Sequence, residues 1–245
     1  MLHRTAARLV LLSITLFWPV TVSADEPKTA DELLARHIEA IGGSTKLDSI
    51  KTMRVTGKSS FGTGSTKSRT VIEFKRPQKL RMDMTHERKT IVQVLDGSTG
   101  WLIMSSADKP APVPLPAEVT EMMKDQCDFR GALVDHKKKG HRIELLGKQE
   151  VNGSDCYRLE VTKAGGAADD YYLDATSFLI VRVEGKRKVR GGERAYAVNF
   201  GDYRDVDSLK VAHSIRGDGL TGDMNVEKVE LNVELPDSRF KKPSG

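Results

Sequence analysis

The chain of 245 residues carries 39 Lys and Arg against 34 Asp and Glu, a formal net charge of +5. That excess is too small to point to nucleic acid, and the length suits one sheet-rich domain. Its two cysteines, Cys127 and Cys156, lack C-x-x-C spacing, which argues against a redox motif or a zinc knuckle.

The first residues read as an export signal. MLHRTAAR is a short basic start, LVLLSITLFWPVTV is apolar, and small residues (Val-Ser-Ala) precede Asp25. Such an apolar run falls short of the roughly 20 residues that span a bilayer, and the three-part pattern predicts cleavage after Ala24. Residues 1–24 are thus an expected signal peptide and 25–245 a single exported, periplasmic domain. Losing Arg4 and Arg8 leaves 37 basic side chains against the 34 acidic ones. No cysteine follows the cleavage site directly, so no lipid anchor is expected. In an oxidising compartment the two cysteines predict one structural disulfide, Cys127–Cys156.

A helix is predicted over about 30–41. Thr29 and Glu32 form a capping box, Leu34, Ile38 and Ile41 share a face with His37 beside them, and Gly42-Gly43 stops it. From residue 51 the period becomes two. Strands are expected at 51–61, 66–76, 79–86, 90–95 and 99–105, broken by GTGS, RPQ, HERK and DGST. GTG at 62–64 is a hairpin turn rather than a phosphate loop, since no third glycine and no helix follow. The proline-rich stretch 107–116 cannot enter a central strand and reads as a surface linker. A helical segment over about 117–138 follows, with Gly131 loosening or splitting it. Strands return at 142–151, 155–163, 168–174, 178–185, 193–204, 209–217 and 222–233. Two meanders split by a helix predict a mostly β fold with few helices: one large curved antiparallel sheet.

The chemistry-bearing residues do not assemble into a motif. His37, His86, His136, His141 and His213 show no H-x-x-x-H or H-x-H pairing, and no G-x-S-x-G is present. The acidic pair 169–170 and Asp202, Asp205 and Asp207 read as turn residues. No catalytic, metal or cofactor site is expected, and no enzyme. The basic clusters 136–142 and 184–194 read as solvated tips and a helix end, the alternative being contact with anionic lipid heads or an acidic protein patch.

Strand phase puts Ile72, Phe74, Leu80, Met82, Met84, Trp101 and Ile103 inward, and Met122 and Met123 on the central helix. Flexible methionines suit either plain core packing or a lipid cavity with a movable cover. Arg76 falls on this same apolar face, next to Pro77.

Phe74-Lys75-Arg76-Pro77, followed by Asp96, Gly97 and Trp101, resembles the signature region of the LolA family of periplasmic lipoprotein carriers, over about residues 70–105. The resemblance implies an incomplete β-barrel closed by helices. Its apolar interior, lined here by the inward set and the two helical methionines, would shield acyl chains of lipoproteins or lipids on the way to the outer membrane. It also implies that Arg76 latches the helical lid through hydrogen bonds to lid backbone. The implied partners are those acyl chains, with an inner-membrane exporter and an outer-membrane acceptor, around a monomeric carrier without a cofactor. The alternative on the same fold is a periplasmic regulator that senses lipid or lipoprotein. A hydrolase would need a clustered acid, base or nucleophile.

Overall fold

The computed structural model describes residues 26–60, 67–104, 111–189, 192–218 and 222–242. The expected signal peptide, the turn at 62–64 and residues 107–110 of the proline-rich stretch lie outside them.

The chain opens with α1 (Ala30–Ala40). Its capping box forms as the sequence predicts: Glu32 N donates to Thr29 Oγ1 at 3.2 Å, and Thr29 N donates to Glu32 Oε2 at 3.3 Å. Leu33, Leu34 and His37 turn inward. Gly43, at φ +80, then starts a second helix, α2 (Ser44–Ser49). The periodicity does not announce it, because six residues are too few to show a helical period. Leu47 buries its one apolar face.

Strands β1 (Thr52–Ser60), β2 (Ser68–Lys75), β3 (Lys79–His86), β4 (Lys89–Asp96) and β5 (Thr99–Met104) follow as a meander. A two-residue strand, β6 (Val113–Pro114), then pairs with β5. The proline-rich stretch therefore does join the sheet, but only at its edge, where a missing N–H costs no ladder bond. The second meander comprises β7 (Arg142–Val151), β8 (Ser154–Thr162), β9 (Ala168–Asp174), β10 (Ile180–Val189), β11 (Gly192–Val206), β12 (Leu209–Asp218) and β13 (Asp223–Leu231). Asn152 and Gly153, both at positive φ, close the β7–β8 hairpin, as a two-residue turn between right-twisted strands requires.

All thirteen strands form one antiparallel sheet in the order β6-β5-β4-β3-β2-β1-β13-β12-β11-β10-β9-β8-β7. The two meanders join where β1 pairs with β13, so β6 and β7 are opposite edges and the barrel stays open. The segment linking those edges has to cross the open side. It carries α3 (Ala117–Gln126) and a run of turns through Gly140. The helix is shorter than the expected 117–138. Pro116 supplies no side-chain cap at its start, and Gly131 takes φ +75 in the turns beyond.

The helices fill the inner face. Leu47 and Ile50 of the α2 region pack on Met53, Val55, Leu209 and Met224. Leu33 and Leu34 of α1 pack with Leu133 on Leu159, Val161 and Leu173. The opposite face of β3–β5 is also covered: residues 232–242 run back across it, and Phe240 and Leu235 pack on Val92 and Val94.

His37 is fully buried rather than beside the packing face, and its Nδ1 donates to Phe178 O at 2.8 Å. Burial pushes its pKa below the ordinary 6.5. The folded state resists the proton that the unfolded chain accepts, so this contribution to stability is complete above about pH 6.5 and is lost as pH falls. The melting temperature is expected to decline already between about pH 6.5 and 5, before most carboxylates titrate. His37→Gln should flatten that part of the profile; an unchanged slope would refute the assignment.

Candidate binding face

The register of β2–β5 defines three rows on the inner face. Phe74, Leu80, Leu95 and Gly100 align in the first, and Ile72, Met82, Gln93 and Leu102 in the second. The third runs Met84, Ile91 and Met104. Leu80 and Leu95 are sealed under α3 with Leu115, Met123 and Cys127. Gly100 makes this seat possible. A Cβ there would stand 2.9 Å from both Leu115 Cδ1 and Thr120 Oγ1, so a side chain would push α3 off the sheet.

The third row, buried at Thr70 of β2 and half-buried at Met84, opens to solvent on β4 and β5. Ile91 is 41% exposed and Met104 50%. Met122, on α3, is 42% exposed. An apolar surface thus runs along β3 and β5, from a dry core beneath α3 to an open stripe near the sheet edge, with Gln93 of β4 as the polar member of its middle row. Isolated exposed apolar residues are ordinary, but a register-aligned group continuous with the core is not.

The structure gathers Ile72, Phe74, Leu80, Met82 and Met84 on this face, with Met123 above them. It corrects three expected members. Trp101 aligns with Val94 and Ile103 with Val92, on the opposite face. There Ile103 packs in the cluster built by residues 232–242, and Lys242 Nζ lies 4.8 Å from the Trp101 ring. A phase error of one residue flips every side chain of a strand; Leu102 and Met104 hold the inner positions. Met122 points to solvent rather than into the face.

Arg76 meets helix-end carbonyls, but those of α2 and not of α3. Its Nη1 donates to Asp48 O at 3.2 Å and Ile50 O at 3.4 Å, and its Nη2 lies 3.7 Å from the Asp48 carboxylate. Its contact with the crossing segment is through Phe129, whose ring centre lies 5.9 Å from the guanidinium and packs edge-on to Phe74. Arg130, one residue on, reaches Asp48 at 3.2 Å, Asp128 at 2.9 Å and Asp135 at 2.7 Å. Burial alone would raise the Asp128 pKa, but hydrogen bonds from Arg130 and Lys139 outweigh it and bring it to about 2. Arg76 and Arg130 thus converge on α2, and the segment after α3 is tied down there.

The expected disulfide is not formed. Cys127 and Cys156 are both free and buried. Cys127 packs on the inner face. In β8 the odd residues Tyr157, Leu159 and Val161 face inward, so alternation sends Cys156 to the outer face. The sheet separates the two sulfurs. Each thiol donates to a nearby carbonyl, Lys124 O and Ser154 O. Denatured, unreduced protein is expected to titrate two thiols; none would reverse this finding.

A second group of inward side chains escapes the sequence reading. Asp169 lies in strand β9, not in a turn, and is buried. Arg187 reaches it with Nη1 at 2.7 Å and Nη2 at 2.8 Å, and Tyr196 donates its hydroxyl at 2.6 Å. Lys163 Nζ lies 3.1 Å from Asp169 and 2.7 Å from Asp125 of α3. Burial works against the Asp169 charge, yet these partners hold its pKa below the ordinary value. Gly185 leaves room for the carboxylate, since a Cβ there would overlap Asp169 Oδ1. Arg187 belongs to the basic cluster expected to be solvated and is instead turned inward. In the other cluster, Lys137, Lys138 and Lys139 pair with Asp31, Asp135 and Asp128.

An open thirteen-stranded sheet, with helices across its inner face, has counterparts among solved proteins. A LolA superfamily protein from Nitrosomonas europaea matches with a TM-score of 0.57 at 16% identity, over 88% of this chain and 99% of that one. The fold is LolA-like. A DUF1329 family protein from Desulfovibrio piger matches the LolA-like sheet with a TM-score of 0.58 at 12% identity, over 89% and 98%. A domain named for outer membrane lipoprotein sorting, from Vibrio parahaemolyticus, gives 0.52 at 14% identity, over 87% and 97%. No protein-family model matches the sequence, and no curated protein matches it in sequence.

Proposed function

We propose that the protein is an exported, periplasmic carrier that takes acyl chains of lipids or lipoproteins onto its inner face and shields them during transfer toward the outer membrane. The observation that carries this reading is the apolar surface that begins buried under α3 and emerges as Met84, Ile91 and Met104. The likeness of fold to a domain named for lipoprotein sorting supports it, as does the export signal read in the sequence. An acyl chain can start on the open stripe and extend by displacing α3 from Leu80 and Leu95. Each methylene moved out of water contributes about 0.8 kcal/mol, so a chain of ordinary length can offset the packing that α3 gives up. α3 suits a movable part: it lacks a side-chain cap, and a Ser, Thr, Asp or Asn there would stabilise it by about 1 kcal/mol.

The test is titration of the full mature chain with a fluorescent fatty acid, alongside mass spectrometry of lipid extracted from protein purified from its own compartment. Saturable binding with a blue-shifted probe, and co-purifying acyl lipid, are expected. A folded protein that binds no acyl probe and carries no lipid would end the carrier reading.

A further inference from the structure

We propose that Lys163 is the seat for the anionic headgroup of an acyl lipid, opened when α3 lifts and withdraws Asp125. The inference rests on the carrier reading and narrows its cargo to lipids with a negatively charged head.

The argument is one of charge. Inside the second meander Lys163 and Arg187 supply two positive charges against the single carboxylate of Asp169. Arg187 takes both of its oxygens, and Tyr196 bonds one of them. The balance is restored by Asp125, and Asp125 is carried by α3. Lys163 is mostly buried, its side chain only 11% exposed. While α3 is seated the group is neutral. When α3 lifts, the ammonium loses one of its two counter-charges, and the group left on the sheet carries a net positive charge that attracts an anion. An anion that replaces Asp125 restores neutrality. The anion of a lipid does so while its chain occupies the surface α3 has vacated, so the same movement exposes an apolar site and a positive one.

The place is built for this. Gly185 leaves space for the Asp169 carboxylate, and Arg187 and Tyr196, neither of them on α3, hold it beneath the ammonium. Lys163 follows directly after β8, whose Val161 belongs to the inner apolar cluster. Met123 of α3 seals Leu80 and Leu95, and Asp125, two residues on, pairs with Lys163, so headgroup and chain meet the protein along the seat of one helix. A cargo with a neutral diacylglyceryl head gains the apolar contacts but leaves Lys163 short of a partner.

The experiment measures uptake by the full mature chain from vesicles of phosphatidylglycerol and from vesicles carrying diacylglycerol in neutral lipid, with inorganic phosphate as a third arm. Wild type is expected to prefer the anionic lipid by about tenfold, the worth of one charge-assisted hydrogen bond. Lys163→Met should abolish the preference and keep diacylglycerol uptake. Asp125→Asn, which keeps the shape of the side chain but removes the charge that competes for Lys163, should strengthen uptake of the anionic lipid. Equal uptake of both lipids by wild type overturns the headgroup site while the carrier reading stands. Uptake of neither overturns both. Phosphate that competes as well as the lipid would show a free-anion site and overturn the lipid assignment.

Discussion

Met104→Glu is expected to abolish binding of a fatty-acid probe while leaving the melting temperature almost unchanged. Met104 ends the open row that begins at Met84. Half of its surface is already in water, so a carboxylate there needs little new hydration and removes little packing. Surface substitutions of this kind stay within about 0.5 kcal/mol of neutral for the fold. The acyl chain meets a different balance. If the row holds about four methylenes, it contributes roughly 3 kcal/mol to capture. A carboxylate in their path would have to be stripped of water without a partner. Affinity should fall by about two orders of magnitude. Ile91→Glu, its neighbour across the β4–β5 pair, should act alike. Phe74→Glu cannot make the same test, because Phe74 packs into two core clusters and its loss would damage the fold first. Tight binding by Met104→Glu would show that acyl chains, if carried, enter elsewhere.

The strands of the fold were readable because one face of most of them is wet, and alternation then marks the register. β5 shows where that signal fails. Trp101 and Ile103 lie under the C-terminal segment, while Leu102 and Met104 face inward. Both faces are apolar, so size alone suggested the wrong pair. The length of α3 was overread for a related reason: Leu133 and Val134 are buried, but in turns, so apolar spacing continued after the helix had ended. Arg76 was read as a latch on the lid backbone; it meets the carbonyls at the end of α2 instead, a helix too short to leave a pattern. The ionic group around Asp169 had no local signal at all. Its members come from α3, the end of β8, β9, β10 and β11, and only the assembled sheet puts Lys163 between Asp125 and Asp169. The two cysteines teach the same lesson: compartment and even count suggest a bond, whereas strand phase puts the sulfurs on opposite sides of the sheet.

Glu73→Ala is expected to destabilise the fold by loosening the C-terminal segment that crosses the outer face. Its carboxylate is buried, and it receives Arg54 Nε at 2.8 Å and Arg239 Nε at 2.6 Å. Arg239 belongs to the segment that crosses this face, which is also held by Lys75 on Leu235 O and Asp237, and by Arg81 on Arg239 O. Removing one member of a buried ion pair costs about 3–5 kcal/mol because the other charge is left without a partner. Here both arginines are about a third exposed and regain some water, so about 2–3 kcal/mol is expected. Urea unfolding measures the loss. Trp101, the one tryptophan beyond the expected signal peptide, reports its location, because Lys242 sits over its ring. Detachment of the segment should shift its emission to the red. Phe240→Ala, which empties a fully buried position, should give a similar shift with a loss of about 3–5 kcal/mol. Glu73→Ala combined with Arg239→Ala should cost less than the sum of the two, since each already breaks the same contact. A loss under about 0.5 kcal/mol with unchanged emission, the range of a solvated surface pair, would mean that Phe240 alone holds the segment. The charges around Glu73 would then set only its direction across the sheet.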